Sequence, residues 1–247
     1  MRLHVTGATG FLGAELCRLD PSATCERVDV RDGAAVLALF GRVRPDVVIH
    51  TAYVQDGPDA RAVTVDGADH VARACSEVGA RLIHLSTDVV FDGRAGRAYV
   101  ERDEPCPMTD YGRLKAEAET LVLKACRSAL VVRTSLIVGG PERQRSKHEL
   151  LAADPEATFY DDEIRSVIQV TDLARALLEL AVLDVVGLLH VAGADAVSRA
   201  ELAELVVGRP VRRKAAPPGR PLNCSLDSAP ARSLVRTPLR GARTVFA

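Results

Sequence analysis

A tyrosine and a lysine four positions apart form the pair of residues best suited to chemistry in this sequence. Tyr111 and Lys115 belong to the run Tyr111-Gly112-Arg113-Leu114-Lys115. Residues i and i+4 share one face of a helix, so the phenol and the ammonium can converge. A phenol has an ordinary pKa of about 10, and a neighbouring cation lowers that pKa towards neutrality. The pair is therefore suited to donating a proton to a carbonyl oxygen during hydride transfer.

A hydroxyl-rich tripeptide, Ser86-Thr87-Asp88, follows the apolar run that begins at Arg81. We expect this run to be the fourth or fifth parallel strand, and parallel α/β sheets bind ligands at the carboxyl ends of their strands. A hydroxyl at that edge can donate to a developing alkoxide. Taken alone, the tripeptide also fits a turn or a helix cap.

Three glycines lie between the first predicted strand and the first predicted helix. Gly7, Gly10 and Gly13 stand in Gly7-Ala8-Thr9-Gly10-Phe11-Leu12-Gly13. In this pattern the first glycine permits a tight turn, the second lets the backbone approach a pyrophosphate, and the third packs the helix close to the sheet. The helix N-terminus offers free amides to the anion. The sequence therefore predicts a dinucleotide cradle.

The choice between NAD and NADP stays open at this point. An acidic residue about 20 positions after the loop binds the adenosine ribose in many such folds, whereas an arginine accommodates the 2′-phosphate. Asp29 and Arg31 both lie near this place and favour opposite cofactors. Asp32 is expected to face the adenine or to cap the next helix.

Short apolar runs alternate with amphipathic stretches up to about residue 135. This alternation is typical of βαβ units, and it predicts an α/β fold with a Rossmann-type, doubly wound parallel sheet over residues 1–135. A short further strand is expected within Thr24 to Val30. The other predicted strands are Leu3–Val5, Asp46–His50, Arg81–Ser86 and Ala129–Thr134, and the helices are Phe11–Leu19, Ala34–Val43, Val63–Val78 and Tyr111–Cys126.

The composition excludes several classes of protein. The 32 basic and 33 acidic side chains give a net charge of −1, which removes the usual electrostatic reason to propose nucleic acid or a membrane surface as partner. The first residues do not have the pattern of an export signal, so none is expected, and the six cysteines are scattered without a metal-binding pattern. We expect free thiols, no metal and a cytoplasmic location. The cysteines are Cys17, Cys25, Cys75, Cys106, Cys126 and Cys224.

These motifs together resemble the extended short-chain dehydrogenase/reductases, and most of all the dTDP-4-dehydrorhamnose reductase branch. The likeness continues in Arg44-Pro45-Asp46-Val47-Val48-Ile49-His50 and in Arg220-Pro221-Leu222-Asn223-Cys224-Ser225-Leu226-Asp227, so it spans nearly the whole chain. It implies that residues 136–247 form mostly a small substrate-binding lobe, with a strand and a helix near 166–183 packing back on the sheet.

The resemblance also implies roles for individual residues. Thr87, Tyr111 and Lys115 form the expected catalytic group, with Tyr111 as the acid. Substrate contacts are expected from Val89, Phe91, Leu136 and Arg220. NAD or NADP is expected to contact Gly7, Thr9, Gly10, Phe11, Leu12, Gly13, Asp29, Arg31, Asp32, Thr51, Ala52, Ser86, Tyr111 and Lys115.

The sequence departs from the family where a sugar would bind. Val89, Leu136 and Val138 replace aromatic residues, and Thr64 and Thr109 replace asparagines. Loss of an aromatic ring removes a stacking surface for a hexose and makes the pocket wider and more apolar. The reaction type is therefore better supported than the substrate.

Three functions are compatible with these observations. The first is NAD(P)H-dependent reduction of a keto group on a nucleotide-activated deoxysugar. The second is a related sugar epimerase, dehydratase or natural-product ketoreductase, and the third is a non-catalytic, dinucleotide-binding regulatory subunit. The expected partner is a small molecule, and a homodimer is a candidate assembly.

Overall fold

The computed structural model describes residues 1–141 and 143–247. The strands are β1 Leu3–Thr6, β2 Val47–His50, β3 Arg81–Thr87, β4 Leu130–Thr134, β5 Ile137–Val138, β6 Thr158–Tyr160, β7 Ile164–Arg165, β8 Ile168–Gln169, β9 Gly187–His190, β10 Val197–Ser198 and β11 Arg212–Lys214. The helices are α1 Phe11–Leu19, α2 Gly33–Val43, α3 Gly67–Val78, α4 Asp110–Ala125, α5 Lys147–Ala152, α6 Val170–Ala181, α7 Arg199–Val207, α8 Ala229–Leu234 and α9 Ala242–Val245. A π-helical turn, Ala62–Asp66, leads into α3, and a 3-10 turn, Asp88–Val90, follows β3.

The main sheet has five strands in the order β1-β2-β3-β4-β9. β1 pairs in parallel with β2, which pairs in parallel with β3. Every residue of β1 and β2 is buried, as expected for a parallel sheet covered on both faces. The predicted α/β class and parallel sheet are confirmed.

The strand expected within Thr24 to Val30 is reduced to one parallel bridge. Thr24 pairs with His4, and residues 25–29 of the described chain belong to no strand or helix. As a result, Ser86 and Thr87 end the third strand along the chain, β3, and not the fourth or fifth.

Two compact units make up the fold. The first comprises Met1–Thr87, Asp110–Val132 and Leu177–Leu189, and the second comprises Asp88–Thr109, Arg133–Ala176 and His190–Ala247. The expected division at residue 135 differs from this one, because the segment 88–109 belongs to the second unit. The cause is a contact between distant parts of the chain: Tyr99 forms a bridge with Leu226, and its backbone amide donates to the carbonyl of Ser225.

Each unit has its own apolar core. In the first, Val48 and Leu82 of the sheet pack with Phe40 of α2, Val71 of α3 and Val122 of α4. In the second, one core cluster is built from β5, α7, α9 and neighbouring residues; its buried members are Val138, Val167, Val197, Leu202, Ala242 and Val245.

The expectation that all cysteines are free is wrong for one pair. Cys17 of α1 and Cys25, directly after the bridge residue Thr24, form a disulfide. The bridge brings the edge segment alongside β1, to which α1 is joined through the glycine loop, and this places the two thiols together. The other four cysteines are free: Cys75, Cys106, Cys126 and Cys224.

None of the helices in the described part of the chain is long and apolar enough to cross a membrane. Within residues 1–141 and 143–247, His, Cys, Asp and Glu side chains form no group of three that could hold a metal ion.

Candidate functional site

The glycine loop between β1 and α1 is tightly closed. Gly7 has a φ of 74°, and a Cβ on it would lie 2.6 Å from the backbone nitrogen of Ala52. The backbone amide of Gly10 donates to the carbonyl of Gly7 at 2.9 Å. Thr51 secures the other side of the loop, because its hydroxyl donates to the carbonyl of Thr6 at 2.8 Å. Thr51 and Ala52 thus shape the loop from the end of β2.

The start of α1 is suited to an anion. Gly10 is the N-cap, no side chain caps the helix, and the first turn contains no acidic residue. The first amides of a helix have no acceptor within it, and the helix dipole favours negative charge there. Thr9 and Gly10 are exposed, whereas the side chain of Leu12 is buried. Leu12 can therefore contact a bound anion only through its backbone amide. The loop therefore fits the pyrophosphate of a dinucleotide.

Replacing Gly13 by alanine is expected to disrupt this loop. A Cβ at Gly13 would lie 2.2 Å from the carbonyl oxygen of Gly7, so the backbone must shift. We expect a loss of about 1–3 kcal/mol in the free energy of unfolding, as for other overpacked sites, and a dinucleotide affinity at least about tenfold weaker, since the amides lose their positions. Thermal unfolding and calorimetric titration measure both effects.

Gly41 in α2 offers the matched control, because a Cβ there meets nothing within 4 Å. Gly41→Ala should stabilise the helix by up to about 1 kcal/mol and leave dinucleotide affinity unchanged. A Gly13→Ala variant that behaves like Gly41→Ala would contradict the role given to Gly13.

Lys115 is buried at the carboxyl end of the sheet. Its side chain is 3% exposed, and its ammonium donates to the carbonyl of Leu85 at 2.5 Å. Leu85 lies on β3 two residues before Thr87, which ends the strand. Burial lowers the pKa of Lys115 to about 8, and the carboxylate of Glu119 opposes that shift. The structure thus places a cation beside the end of β3 within a region of low dielectric.

Tyr111 lies one helical turn before Lys115 on α4 and is half-buried. Its ring centre lies 5.7 Å from the ring centre of Tyr53, which follows β2. The ammonium of Lys115 lies 6.0 Å from the centre of the Tyr53 ring. The predicted pair therefore stands at the same end of the sheet as the glycine loop, and Tyr53 adjoins both of its members.

Two buried histidines lie close to Lys115. His50 and His84 occupy adjacent positions on β2 and β3, and their rings stack at 5.3 Å. Burial, aided by the charge of Lys115, lowers the pKa of His50 to about 3 and that of His84 well below its ordinary value. Both imidazoles are therefore neutral at physiological pH, so neither adds a positive charge beside the ammonium.

Ser86 and Asp32 have structural partners of their own. The hydroxyl of Ser86 donates to the buried carboxylate of Glu119 at 2.5 Å, which joins β3 to α4. Asp32 is the N-cap of α2 and accepts from the amide of Ala35 at 3.0 Å. Of the two roles expected for Asp32, the structure shows the cap.

Asp29 and Arg31 are bound to each other. The guanidinium of Arg31 donates to both carboxylate oxygens of Asp29, at 3.0 and 2.7 Å, and to Asp59 at 3.1 Å. Hydrogen bonds from Arg31 lower the pKa of Asp29 to about 2. The residues that favoured opposite cofactors thus neutralise one another.

Phe91, one of the expected substrate contacts, lies in the core of the second unit. Phe91 is fully buried, and its ring stacks on Tyr99 at 4.0 Å. The guanidinium of Arg133 lies 5.0 Å from the Phe91 ring centre, and His190 approaches at 5.9 Å. Phe91 is therefore a core residue and cannot touch a substrate in this conformation. Its place after the Ser-Thr-Asp tripeptide did not reveal that its ring faces inwards.

The other three substrate candidates are accessible to different degrees. Val89 is half-buried, and Leu136 is half-buried against the core cluster that contains Val138. The guanidinium of Arg220 pairs with Glu163 and lies 4.9 Å from the centre of the Tyr160 ring. Nearly half of the Arg220 side chain is exposed, so it can still meet an anion.

Sequence reasoning missed a buried polar cluster in the second unit. The hydroxyl of Ser135 donates to the Asp88 carboxylate at 2.5 Å, and Arg165 lies 3.6 Å from the same carboxylate. The guanidinium of Arg165 also donates to the carbonyl of Pro221 at 2.9 Å. This network ties the start of the segment 88–109 to β7. Tyr53 was missed as well. Its place directly after Thr51-Ala52, two expected cofactor contacts, could have indicated that its ring lies near the site.

Comparison with known proteins adds an independent line of support. The family described as "RmlD substrate binding domain" matches residues 1–239. The dTDP-4-dehydrorhamnose reductase of Mycobacterium tuberculosis H37Rv is 39% identical over 220 residues, covering 80% of this chain and 72% of that relative. Methionine adenosyltransferase 2 subunit beta of Bos taurus is 30% identical over 236 residues, covering 82% of this chain and 70% of that relative.

A solved structure confirms the fold. The crystal structure of dTDP-4-dehydrorhamnose reductase from Bacillus anthracis, in complex with NADP, superposes with a TM-score of 0.87 at 24% identity, covering 99% of this chain and 96% of that one. The predicted resemblance is thus confirmed by family, sequence and fold together. The chain belongs to the RmlD substrate-binding domain family, within the extended short-chain dehydrogenase/reductases.

Proposed function

We propose that this chain is a NAD(P)H-dependent reductase of a keto group on a nucleotide-activated deoxysugar. The observation that carries the proposal is the buried ammonium of Lys115, one helical turn from Tyr111 and at the end of the strand that carries Thr87. Burial of a lysine ammonium costs folding free energy, and strongly perturbed groups of this kind are typical of functional sites. The names of the relatives agree with this reaction.

The glycine loop would hold the cofactor. The amides at the start of α1 would bind the pyrophosphate, and Thr51 and Ala52 keep the loop in shape. The bound nicotinamide supplies the hydride. Because Lys115 adjoins the same edge of the sheet, its ammonium is placed to hold hydroxyls of the nicotinamide ribose. These contacts would position the cofactor before the substrate arrives.

Tyr111 would act as the proton donor. The ammonium of Lys115, one helical turn away, would stabilise the phenolate form and so assist proton transfer from the phenol. Thr87, at the end of β3, would donate a hydrogen bond to the same oxygen as negative charge develops on it. The stacked histidines His50 and His84 stay neutral, so they add no positive charge to that of Lys115.

Apolar and basic side chains of the second unit support the proposed class of substrate. Val89 and Leu136 offer partly exposed apolar surface where the family has aromatic rings, which favours a deoxygenated sugar carbon over a hydroxyl. Arg220 offers a guanidinium to the phosphates of a nucleotide sugar. The proposal includes a cytoplasmic location and a homodimer.

One alternative function has an observation in its favour. The similarity to methionine adenosyltransferase 2 subunit beta, by name one subunit of a larger enzyme, favours a regulatory subunit. The retained Tyr111 and Lys115, with Lys115 buried, favour catalysis instead. A sugar epimerase or dehydratase would use the same cradle and is distinguished by its products.

The test is the oxidation of NADH and NADPH by the purified chain with a panel of nucleotide-linked keto sugars. We expect loss of absorbance that depends on the keto sugar, with one hydroxyl formed for each dinucleotide oxidised. Product formation without net oxidation would favour an epimerase or dehydratase. Tight dinucleotide binding without turnover of any panel member, together with co-purification of an enzyme, would favour the regulatory subunit.

A further inference from the structure

A disulfide joins the last turn of α1 to the segment that follows this helix. Cys17 and Cys25 are 8 positions apart, and their Cα atoms are separated by 6.8 Å. Both residues are half-buried, so neither is sealed in a core. Cys25 directly follows Thr24, which forms the bridge with His4 of β1. The disulfide therefore connects the end of α1 to the edge of the main sheet.

The segment between the two cysteines is also held by hydrogen bonds. The hydroxyl and the amide of Ser22 both donate to the Asp20 carboxylate, at 2.5 and 3.0 Å. The amide of Thr24 donates to the carbonyl of Leu3 at 2.8 Å, and the hydroxyl of Thr24 bonds to the ring of His4 at 2.8 Å. Because these bonds do not depend on the disulfide, opening it would leave the two thiols close enough to bond again.

The two ends of α1 are fixed in different ways. At its start, Gly13 lies against the backbone of Gly7, which closes the glycine loop. Leu16 buries its side chain further along the helix. In the last turn, Arg18 pairs with Glu15 of the same helix, so this ion pair adds no contact with the sheet. The disulfide thus supplies the covalent link that fixes the last turn.

The first turn of the same helix presents the amides of the dinucleotide cradle. α1 has only 9 residues, and a helix this short depends on contacts with the rest of the fold. Greater mobility in its last turn is therefore expected to reach its first turn. Amides that have to be ordered when a ligand arrives bind it less tightly. An open disulfide should thus weaken binding of the pyrophosphate that NADH and NADPH share.

Disulfides of proteins in a reducing compartment are usually transient, catalytic or redox-sensing. We propose that the Cys17–Cys25 disulfide is a reversible redox switch, and that the chain binds dinucleotides more tightly when the disulfide is closed. The inference rests on the cofactor cradle and the cytoplasmic location of the proposed function, and it adds a means of regulating that function.

Thiol–disulfide exchange with a dithiol opens the switch. One thiolate of the dithiol attacks a sulfur of the disulfide, which breaks the S–S bond of the chain and forms a mixed disulfide. The second thiol of the reagent then displaces that sulfur. Two electrons and two protons thus pass to Cys17 and Cys25, and the reagent leaves as its own cyclic disulfide. The reverse exchange closes the switch.

The test is fluorescence titration of NADH and of NADPH with the oxidised chain and with the chain reduced by dithiothreitol. Counting thiols in denaturant identifies the two states, since four cysteines are free with the disulfide closed and all six with it open. Reduction is expected to weaken both affinities at least about threefold, and by the same factor. It should also lower the thermal midpoint by about 5 °C or more, because the disulfide restrains the unfolded chain.

Thermodynamic linkage provides a second measurement. If the disulfide strengthens dinucleotide binding by some factor, bound dinucleotide must favour the disulfide by the same factor. In mixtures of reduced and oxidised dithiothreitol, saturating NADPH should therefore shift the thiol–disulfide equilibrium of the chain towards the disulfide. A disulfide that only stabilises the fold would show no such shift, and that result would overturn the switch.

The variant with both Cys17→Ser and Cys25→Ser should bind dinucleotides like the reduced wild type and should not respond to dithiothreitol. Cys106→Ser is the matched control, because it removes an exposed thiol outside the disulfide and should keep the full response. The switch is excluded if the wild type binds dinucleotides equally in both states, if the double variant still responds, or if Cys106→Ser does not. A change confined to one of the two dinucleotides excludes it as well.

Turnover has no part in these measurements. A chain that reduces a keto sugar but binds dinucleotides equally in both redox states would lose this inference and retain the proposed function. A chain with a redox-dependent affinity and no turnover would retain this inference and lose the proposed reduction.

Discussion

Replacing Tyr111 by phenylalanine is expected to lower turnover by about 10²- to 10⁴-fold, the range that a positioned general acid contributes. The phenyl ring keeps the packing on Tyr53 but has no proton to donate. Dinucleotide affinity should change little, because the cradle and Lys115 remain. Steady-state rates with a keto sugar and fluorescence titration with NADPH measure the two effects.

Tyr53→Phe provides the matched control for this experiment. Tyr53 lies against Tyr111 at 5.7 Å, so the variant removes a hydroxyl from the same neighbourhood and keeps the ring contact. It should retain most of the turnover. If Tyr111→Phe remains fully active, or if Tyr53→Phe loses as much as Tyr111→Phe, Tyr111 is not the acid.

Replacing Lys115 by methionine is expected to abolish turnover and at the same time to stabilise the fold. The ordinary pKa of lysine, 10.5, falls to about 8 in the folded chain. Such a difference disfavours the folded state by about 3 kcal/mol at neutral pH. Methionine fills similar space without charge but loses the bond to the carbonyl of Leu85, so we expect a net gain of about 2 kcal/mol. Dinucleotide affinity should weaken as well.

The pH dependence gives this prediction a second readout. Between pH 8 and 10.5 the unfolded chain binds more protons at Lys115 than the folded chain does. The stability of the wild type therefore rises with pH through this window, and its deficit relative to Lys115→Met should shrink. Turnover should fall over the same range, because the ammonium that assists Tyr111 is lost.

Lys124→Met supplies the control for these measurements. Lys124 lies at the end of the same helix and is exposed. We expect its free energy of unfolding to change by less than about 0.5 kcal/mol and turnover to stay at the wild-type level. Chemical denaturation at several pH values measures each variant, and a Lys115→Met variant that is clearly less stable than the wild type would falsify the account of Lys115 given above.

Patterns within a few consecutive residues were sufficient to predict the glycine loop and the helix that carries Tyr111 and Lys115. The glycine loop needs glycine because a Cβ at Gly13 would collide with the backbone of Gly7, and that requirement is visible in the spacing alone. The position of Tyr111 and Lys115 on one helix follows from periodicity. Their roles remain predictions that the experiments above decide.

Features that depend on distant contacts were not predictable in this way. The Cys17–Cys25 disulfide arises because Thr24 pairs with His4 at the edge of the sheet. Phe91 follows a site motif, yet Tyr99 draws its ring into a core. Nothing local signals that Asp29 and Arg31 engage each other and Asp59.

The order of segments in the two units has a practical consequence for engineering. The polypeptide passes from one unit to the other at residues 87, 109, 132, 176 and 189. A chain cut near residue 135 would lose Leu177–Leu189 and with it most of β9, the outer neighbour of β4. That cut would expose the flank of β4 to pairing with other chains and invite aggregation. Grafting a new specificity onto this scaffold therefore requires exchange of three separate stretches, and deletion of either half should give insoluble material.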